Sequence, residues 1–378
     1  MNDLESEFKS SFKIGFIGFG LIGGSIARAL KKINRDYYLF AYDYHTVNKS
    51  SDLQTALSDG VLNSVTTSLD VLFPECDLLF LCAPVLSNIN YLKALKPILK
   101  STCILTDVGS VKGNIHSAVK ELGLESQFIG GHPMTGSEKT GYINSYALLL
   151  ENAYYILTPS GSAPERMLEL LYSLVKKMGS IPIVLEPSEH DKITAAISHV
   201  PHIVAAALVN LVRETDDEAE KMRALAAGGF KDITRIASSS PVMWQNICLT
   251  NADDIKLMLD RYIASLQEAS LALQHRDEAY LYHMFDVAGE YRSAIPNKSI
   301  GLMKKLFEIY LDIMDEAGAI ATIATLLASN QISIKNIGII HNREFEEGVL
   351  RIEFYDDEAQ LKAGSLLTRY NYRIYERK

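Results

Sequence analysis

The sequence is poor in cysteine and shows no segment that would carry it out of the cytoplasm. Its four cysteines, in 378 residues, lie in or beside apolar runs and lack the spacing of metal ligands. They are therefore expected to be reduced core residues of a cytoplasmic protein. The first residues are acidic and polar, unlike a signal peptide, and no uncharged apolar run looks long enough to cross a bilayer.

Positive charge is also scarce, because the formal net charge is -9. This balance argues against nucleic acid or an anionic membrane as a partner. An anionic substrate would need local positive charge, so single arginines in clefts become informative. An apolar content of 48% with a mean hydropathy near zero is typical of a soluble globular protein, and the length predicts two or three domains.

A glycine-rich turn near the N-terminus is the strongest motif. Gly18, Gly20 and Gly23 form GxGxxG between an apolar strand at 14–17 and a helical run, and a second apolar strand ends at Asp43. This strand, turn, helix, strand and acid order is what a dinucleotide site requires. The alternative is a glycine-rich turn in another kind of α/β protein.

Each part of the motif has a physical role in binding a dinucleotide. Gly18 permits the tight turn, Gly20 lets the backbone approach the pyrophosphate, and Gly23 allows close helix–strand packing. The helix N-terminus holds the diphosphate. Asp43 can accept hydrogen bonds from the ribose and would repel a 2′-phosphate, which favours NAD over NADP. The predicted cofactor contacts are Gly18, Gly20, Leu21, Ile22, Gly23, Asp43, Ala83, Pro84 and Asp107.

The pattern of the elements changes twice along the chain. Residues 13–185 alternate strand and helix, which predicts a Rossmann-type, doubly wound and mostly parallel sheet. From 190 to about 292 only helical signals remain, including one apolar helix at Ile193–Val212, and the excess apolar surface predicts a homodimer. Residues 305–378 follow a ferredoxin-like βαββαβ order. The predicted domains are residues 1–187, 188–296 and 303–378.

Four polar segments stand out beyond the cofactor turn. They read DVGSVK at 107–112, GGHPMTGSE at 130–138, SHVPH at 198–202 and GGFKDITR at 228–235. Together with GxGxxG they closely resemble the prephenate dehydrogenase family of tyrosine biosynthesis over essentially the whole chain. The second segment is the most specific, and Thr135, where alanine is commoner, is a mild departure. The C-terminal domain looks like the ACT regulatory domain of some members.

The resemblance implies an NAD-dependent oxidative decarboxylation of prephenate, and it implies roles for seven residues. His132 matches the histidine that accepts the proton of the 4-hydroxyl, and Ser110 would be a second contact to that hydroxyl or to the nicotinamide ribose. Arg235 matches the arginine that binds a substrate carboxylate, and His202 matches a histidine near the substrate. The remaining pocket residues implied are Thr135, Glu138 and Trp244.

Each of these residues has a simpler structural interpretation. His132 would then be a satisfied histidine in a glycine-rich turn, and Ser110 an N-cap for the helix that starts at Lys112. Lys112 itself is expected to be solvated. Arg235 would pair with Asp232, and His202 would be a core histidine. The pairs His190-Asp191 and His199/His202 lack ligand-like partners, so no metal site is expected.

The C-terminal domain is expected to bind the feedback ligand of the pathway, which by resemblance is tyrosine. ACT domains bind amino acids at the first strand–helix turn, here Gly318 and Ala319, and Asn330 and Asn336 would face the same groove at an interface between copies. The alternative is a domain that serves only dimerisation.

Three functional alternatives stay open. The enzyme could be an arogenate or dual cyclohexadienyl dehydrogenase, or another two-domain NAD enzyme such as a 3-hydroxyacid dehydrogenase. The chain could also be a non-enzymatic sensor of nucleotides and amino acids.

Overall fold

The structure is a computed structural model that describes residues 12–43, 51–137, 139–295, 307–313, 318–340 and 348–375. Its contacts divide the chain into two compact units, residues 1–301 and 302–378. The finer division of the first unit near residue 187 stays a prediction.

The first unit begins with a parallel sheet, as the sequence predicts. Its strands follow the order β3-β2-β1-β4-β5, and every pair in this order is parallel. A bridge between Leu105 and Phe128 leads to a second sheet in which β6 pairs antiparallel with β7, and β7 parallel with β8. The strands are β1 (Lys13–Ile17), β2 (Tyr38–Tyr42), β3 (Ser64–Val65), β4 (Leu78–Leu81), β5 (Ile104–Asp107), β6 (Ile129–Pro133), β7 (Tyr154–Pro159) and β8 (Ile181–Val184).

Helices form two apolar cores with this sheet. One core includes Ile26 and Leu30 of α1 together with Phe16 and Phe80, whose rings stack at 5.3 Å. The other includes Leu92 and the buried thiols of Cys76 and Cys103. When helices cover a sheet in this way, its central strands have apolar side chains on both faces and so are continuous apolar runs. The helices are α1 (Leu21–Ile33), α2 (Ser51–Ser58), α3 (Leu69–Leu72), α4 (Val85–Leu95), α5 (Gly113–Glu121) and α6 (Glu165–Lys177).

The remainder of the first unit is helical. The apolar helix expected at Ile193–Val212 is interrupted by a π-helical turn at Ala195–His199. Pro201 explains the interruption, because proline lacks an amide hydrogen and its ring collides with the carbonyl four residues earlier. The sequence did not predict α10 or α13. The helices are α7 (Pro187–Thr194), α8 (Val200–Thr215), α9 (Lys221–Leu225), α10 (Gly228–Thr234), α11 (Pro241–Thr250), α12 (Ala252–His275) and α13 (Glu278–Ala294).

This helical part leaves many large apolar side chains uncovered. Those that are at least 60% exposed include Ile197, Leu211, Leu225, Phe285 and Tyr291. The run Pro187–Thr215 is long and apolar enough, by length and composition alone, to cross a membrane. The sequence-based prediction that no apolar run is long enough to cross a bilayer is therefore wrong. The same run begins with His190 and Asp191, which are buried and contact β6 and α5.

The second unit has the predicted ferredoxin-like βαββαβ order. Its four strands form an antiparallel sheet in the order β10-β11-β9-β12. Apolar side chains of the sheet and of both helices make one core. The elements are β9 (Phe307–Ile313), α14 (Ala319–Ser329), β10 (Ile334–Ile340), β11 (Gly348–Phe354), α15 (Asp357–Arg369) and β12 (Ile374–Tyr375).

Two glycines let strand β6 fit between its neighbours. A Cβ atom on Gly131 would lie 2.5 Å from the carbonyl oxygen of Asp107, and one on Gly130 would lie 2.3 Å from Oγ1 of Thr158. The first of these obstacles is backbone, which cannot turn away. These glycines therefore fix the position of the residue that follows them, His132.

Replacing Gly131 with alanine should destabilise the protein by about 1–3 kcal/mol, because the new methyl group overpacks a rigid site. Urea denaturation measures the change. Gly161→Ala is the matched control, because a Cβ there meets no atom within 4 Å. Equal unfolding midpoints for the two variants would contradict this account of β6.

Candidate active site

The glycine turn after β1 has the form that a dinucleotide needs. Gly18 has φ +80°, and a Cβ there would lie 2.8 Å from the amide nitrogen of Ala83. A Cβ on Gly23 would lie 3.0 Å from the carbonyl oxygen of Gly18, so the helix packs closely on the turn. Around Gly20, by contrast, a Cβ would meet nothing within 4 Å, which leaves space for a diphosphate beside the backbone.

The surroundings of this turn also suit an anionic cofactor. Leu21 and Ile22 begin α1, whose first turn carries no acidic residue. Asp43 follows β2, and its Oδ2 accepts a hydrogen bond from the amide of Phe19 at 3.0 Å. Pro84 precedes α4 at the end of β4. The amides of α1 can bind the diphosphate, and the ribose contact expected of Asp43 stays a prediction.

Asp107 differs from the expectation of a direct cofactor contact. Its side chain is fully buried. Oδ1 accepts from the amide of Gly131 at 3.1 Å, and Oδ2 accepts from the amide of Gly109 at 2.9 Å and from Nζ of Lys112. The carboxylate therefore holds the loop and strand β6 together, and the cofactor contact expected of Asp107 stays a prediction.

Lys112 is fully buried, not solvated as expected. Besides the ion pair with Asp107, its ammonium group donates to the carbonyl oxygen of Gly131 at 2.8 Å. Burial lowers the pKa of Lys112, and the Asp107 charge opposes this shift. A buried ion pair of this kind needs both partners, because removing one leaves an uncompensated charge.

His132 is joined to two further residues by hydrogen bonds. Its Nδ1 lies 2.8 Å from Nε2 of His190, and Nδ1 of His190 lies 2.7 Å from Oδ1 of Asp191. His190 is fully buried. His132 lies on β6 and the other two lie on α7, so the chain of contacts joins the sheet to the helical part.

Asp191 also caps helix α5. Its two carboxylate oxygens accept from the amides of Lys112 and Gly113 at 2.8 and 2.7 Å. Burial opposes its ionisation, but hydrogen bonds from His190 and these amides hold the pKa of Asp191 below its usual value. Because the helix starts at Gly113 with Lys112 as its N-cap residue, Ser110 is not the N-cap that its alternative interpretation assumed.

The environment of His132 keeps its imidazole neutral. Burial, followed by positive charge at His190, Lys112 and His199, lowers the pKa of His132 well below its usual value. A neutral imidazole carries one donor and one acceptor nitrogen, and its hydrogen bonds decide which is which. His132 can therefore act as a proton acceptor at neutral pH.

A second polar cluster surrounds Trp244. The ring of His202 stacks on it at 3.7 Å between centroids, and His199 meets it edge-on at 6.0 Å. Burial lowers the pKa of His202, and the positive charge of Arg235 contributes to this shift. Burial likewise lowers the pKa of His199 to about 4. Since charge at His199 also acts on His132, the two clusters belong to one region.

Hydrogen bonds show which ring nitrogens of this cluster are already bound and which remain available to a ligand. Nδ1 of His202 donates to the carbonyl oxygen of Ser198 at 2.8 Å, which leaves its Nε2 as an acceptor. The amide group of Asn251 donates to the carbonyl oxygen of Asp191 at 2.9 Å and to Nδ1 of His199 at 3.2 Å. Nε2 of His199 and Nε1 of Trp244 are buried without a partner among the described residues. A polar ligand would satisfy them.

The other predicted pocket residues lie in loops, at the end of a helix or outside the described residues. Ser110 and Thr135 are half-buried, and they lie in the loops that follow β5 and β6. Arg235 is exposed at the end of α10, in the region of His202. Glu138 lies outside the described residues.

The regulatory residues expected in the second unit fall into two groups. Gly318, with φ +95°, precedes Ala319 at the start of α14, whereas Asn330 follows its last turn. The ends of an eleven-residue helix are about 16 Å apart. Asn336 lies near the start of β10, on the side of Asn330. Within one copy, therefore, these residues do not form one groove.

Sequence reasoning missed three residues that the structure joins to His132. It considered His190 and Asp191 only as metal ligands, and it expected Lys112 to be solvated. A signal was present in His190-Asp191, a titratable pair just before the apolar run at Ile193–Val212. Asn251 gave no such signal, because its role depends on contacts with α7 that are distant in sequence.

Comparisons with known proteins agree with this arrangement. Residues 26–184 match a family model described as prephenate dehydrogenase, nucleotide-binding domain, and residues 186–287 match prephenate dehydrogenase, dimerization domain. The chain is 37% identical to a prephenate dehydrogenase of Bacillus subtilis (strain 168), over 92% of this chain and 93% of that protein.

Two further relatives extend the comparison. A cyclohexadienyl dehydrogenase of Zymomonas mobilis is 31% identical, over 75% of this chain and 95% of that protein. The crystal structure of an A. aeolicus prephenate dehydrogenase in complex with hydroxyphenyl propionate and NAD+ superposes with a TM-score of 0.71 at 29% identity, covering 76% of this chain and all of that one. The expected class, an NAD-dependent oxidoreductase, is confirmed, and the chain belongs to the prephenate dehydrogenase family.

Proposed function

We propose that this chain catalyses the NAD-dependent oxidative decarboxylation of prephenate to 4-hydroxyphenylpyruvate. The observation that carries the proposal is the placement of His132, which follows the buried glycines of β6 and has its Nδ1 2.8 Å from Nε2 of His190. His132 also lies in the part of the chain that matches the nucleotide-binding domain of the prephenate dehydrogenase family, which supports the same conclusion. The bound nicotinamide supplies the hydride acceptor.

The reaction is balanced without net release of a proton. Hydrogen leaves C4 of the ring as hydride, the bond from C1 to its carboxylate breaks to give carbon dioxide, and that electron pair completes the aromatic ring. In the proposed mechanism His132 accepts the hydrogen bond or the proton of the 4-hydroxyl during hydride transfer. It then returns the proton to the phenol. General base catalysis of this kind contributes about 10²–10⁴-fold.

Arg235 and the cluster around Trp244 are proposed to hold the acidic substrate. A guanidinium group binds a carboxylate with about 1.5–3 kcal/mol per charged hydrogen bond in a site that excludes water. The unpartnered nitrogens of His199 and Trp244 support a polar ligand at this place. Ser110, Thr135 and Glu138 are proposed to complete the pocket.

Arogenate, or both substrates, is the alternative. The observation that favours it is the similarity to a cyclohexadienyl dehydrogenase. Arogenate differs from prephenate only in carrying an alanyl instead of a pyruvyl side chain, so the chemistry at C4 is the same. Rates of NADH formation with each substrate separate the two.

We also propose that the second unit is an ACT domain that binds tyrosine and inhibits the enzyme. Its ferredoxin-like order and the glycine turn at Gly318 support this. Because Gly318 and Asn330 lie at opposite ends of α14, the proposed groove needs a second copy to bring the two ends together. A family match to a dimerization domain and the exposed apolar helices support a homodimer, which we place in the cytoplasm.

His132→Asn should lower kcat for prephenate by about 10²–10⁴-fold, because the proton acceptor is lost. The affinity for NAD should stay the same, since the glycine turn is untouched. NADH absorbance gives kcat, and the quenching of Trp244 fluorescence by NAD, or calorimetry, gives affinity. An unchanged kcat would refute the role of His132.

Asp43→Ser should narrow the preference for NAD over NADP. Serine removes the negative charge that would repel a 2′-phosphate and weakens the contact to the ribose. The ratio of kcat/KM values for the two cofactors is the measurement. If the ratio stays the same, the ribose is held by another group.

Gly318→Ala should weaken inhibition by tyrosine, because φ +95° costs an alanine roughly 1–2 kcal/mol and the turn would shift. Turnover without tyrosine should be preserved. Gly364→Ala is the control, because a Cβ there makes only ordinary contact with Ile309 at 3.7 Å. Inhibition that is equally strong in both variants would locate the regulatory site elsewhere.

A further inference from the structure

We infer that His190 and Asp191 act as positioning residues that force His132 into the tautomer with a bare Nε2, and that they hold its positive charge during turnover. This inference rests on the proposed function of His132 as the proton acceptor. It assigns a role to two residues that are not among those implied to bind the cofactor or the substrate.

The argument starts at the carboxylate. An ionised carboxylate can only accept hydrogen bonds, and Asp191 is kept ionised by the donors that surround it. Nδ1 of His190 must therefore carry a hydrogen and donate it to Oδ1 of Asp191. In a neutral imidazole the other nitrogen, Nε2, is then an acceptor.

The same argument applies to the ring of His132. Nε2 of His190 faces Nδ1 of His132 at 2.8 Å, and two acceptors would repel each other at this distance. Nδ1 of His132 is therefore the donor. Its Nε2 is left with a lone pair, which is the form that can accept the 4-hydroxyl proton. A carboxylate that orders a catalytic imidazole in this way can be worth about 10⁴-fold in kcat.

The burial of His190 and Asp191 agrees with the proton balance of the reaction. His190 is fully buried and Asp191 is 5% exposed, so a proton that enters this chain has no direct exit to water. None is needed, because the proton accepted from the 4-hydroxyl returns to the phenol of the product. The arrangement suits a proton that is held and given back.

The titratable and charged groups near His132 belong to several elements. His190 and Asp191 lie on α7, His199 lies in the π turn, Asp107 ends β5, and Lys112 precedes α5. Burial and the nearby charge of Lys112 hold the pKa of His132 well below its usual value, so its bare Nε2 can accept a proton at neutral pH.

Two variants of the full-length enzyme separate positioning from packing. His190→Leu fills the space but cannot accept a hydrogen bond, and should lower kcat by about 10²–10⁴-fold while KM and NAD affinity change by less than about threefold. His190→Gln keeps an amide oxygen that can accept from Nδ1 of His132. It should recover at least about tenfold of the lost kcat.

His116→Gln is the matched control. His116 is a half-buried histidine of the first unit, its Nε2 lies 2.9 Å from Oγ1 of Thr158, and burial lowers its pKa to about 4. Its replacement should leave kcat unchanged. A kcat of His190→Leu near that of the wild type, or a His190→Gln variant no more active than His190→Leu, would overturn the inference.

A spectroscopic readout keeps this test independent of turnover. In ¹⁵N-histidine spectra of the ligand-free enzyme, the His132 signal, assigned by its loss in His132→Gln, should show a protonated Nδ1 and a bare Nε2 at neutral pH. A protonated Nε2 would refute the proposed tautomer. If the wild type fails to oxidise prephenate while the tautomer is as expected, the proposed function fails and the positioning role stands.

Discussion

The arrangement of the site depends on one buried anion, the carboxylate of Asp191. It caps the first turn of α5, accepts from the ring of His190, and through that ring determines the hydrogen bonding of His132. A buried carboxylate is costly unless its lone pairs are satisfied, and here three donors satisfy it. Because two of those donors are amides at the start of α5, the same carboxylate that orders the imidazole also fixes α7 against α5.

A second buried carboxylate, that of Asp107, holds the backbone of β6 just before His132. It binds the amide of Gly131 and the ammonium group of Lys112, which in turn binds the carbonyl oxygen of Gly131. The backbone that precedes His132 is thus held by a donor and an acceptor, and the absence of a Cβ at Gly131 permits the close approach. Precision in the position of a reacting group is worth several kcal/mol in catalysis.

The parts of this protein that sequence reasoning predicted well are local in the chain. The glycine turn, the strand that ends at Asp43 and the βαββαβ order of the second unit each follow from residues that are close together. Lys112 was misjudged because a lysine near a helix start is usually solvated, and only the folded chain brings Asp107 and the Gly131 carbonyl to it. His190 was missed for the same reason, since its partner His132 is 58 residues away. The π turn at Ala195–His199 depends on a local proline, but no periodicity in the sequence reveals the extra residue.

The capping contact between Asp191 and α5 has a consequence for how such enzymes can diverge. The part that matches the family's nucleotide-binding domain ends at residue 184, and the match to its dimerization domain begins at residue 186. His132 lies before this seam and its two supporting residues lie after it. A chimera joined at this seam keeps the contacts of His132 and of α5 only if its second part brings a histidine and a carboxylate to the positions of His190 and Asp191.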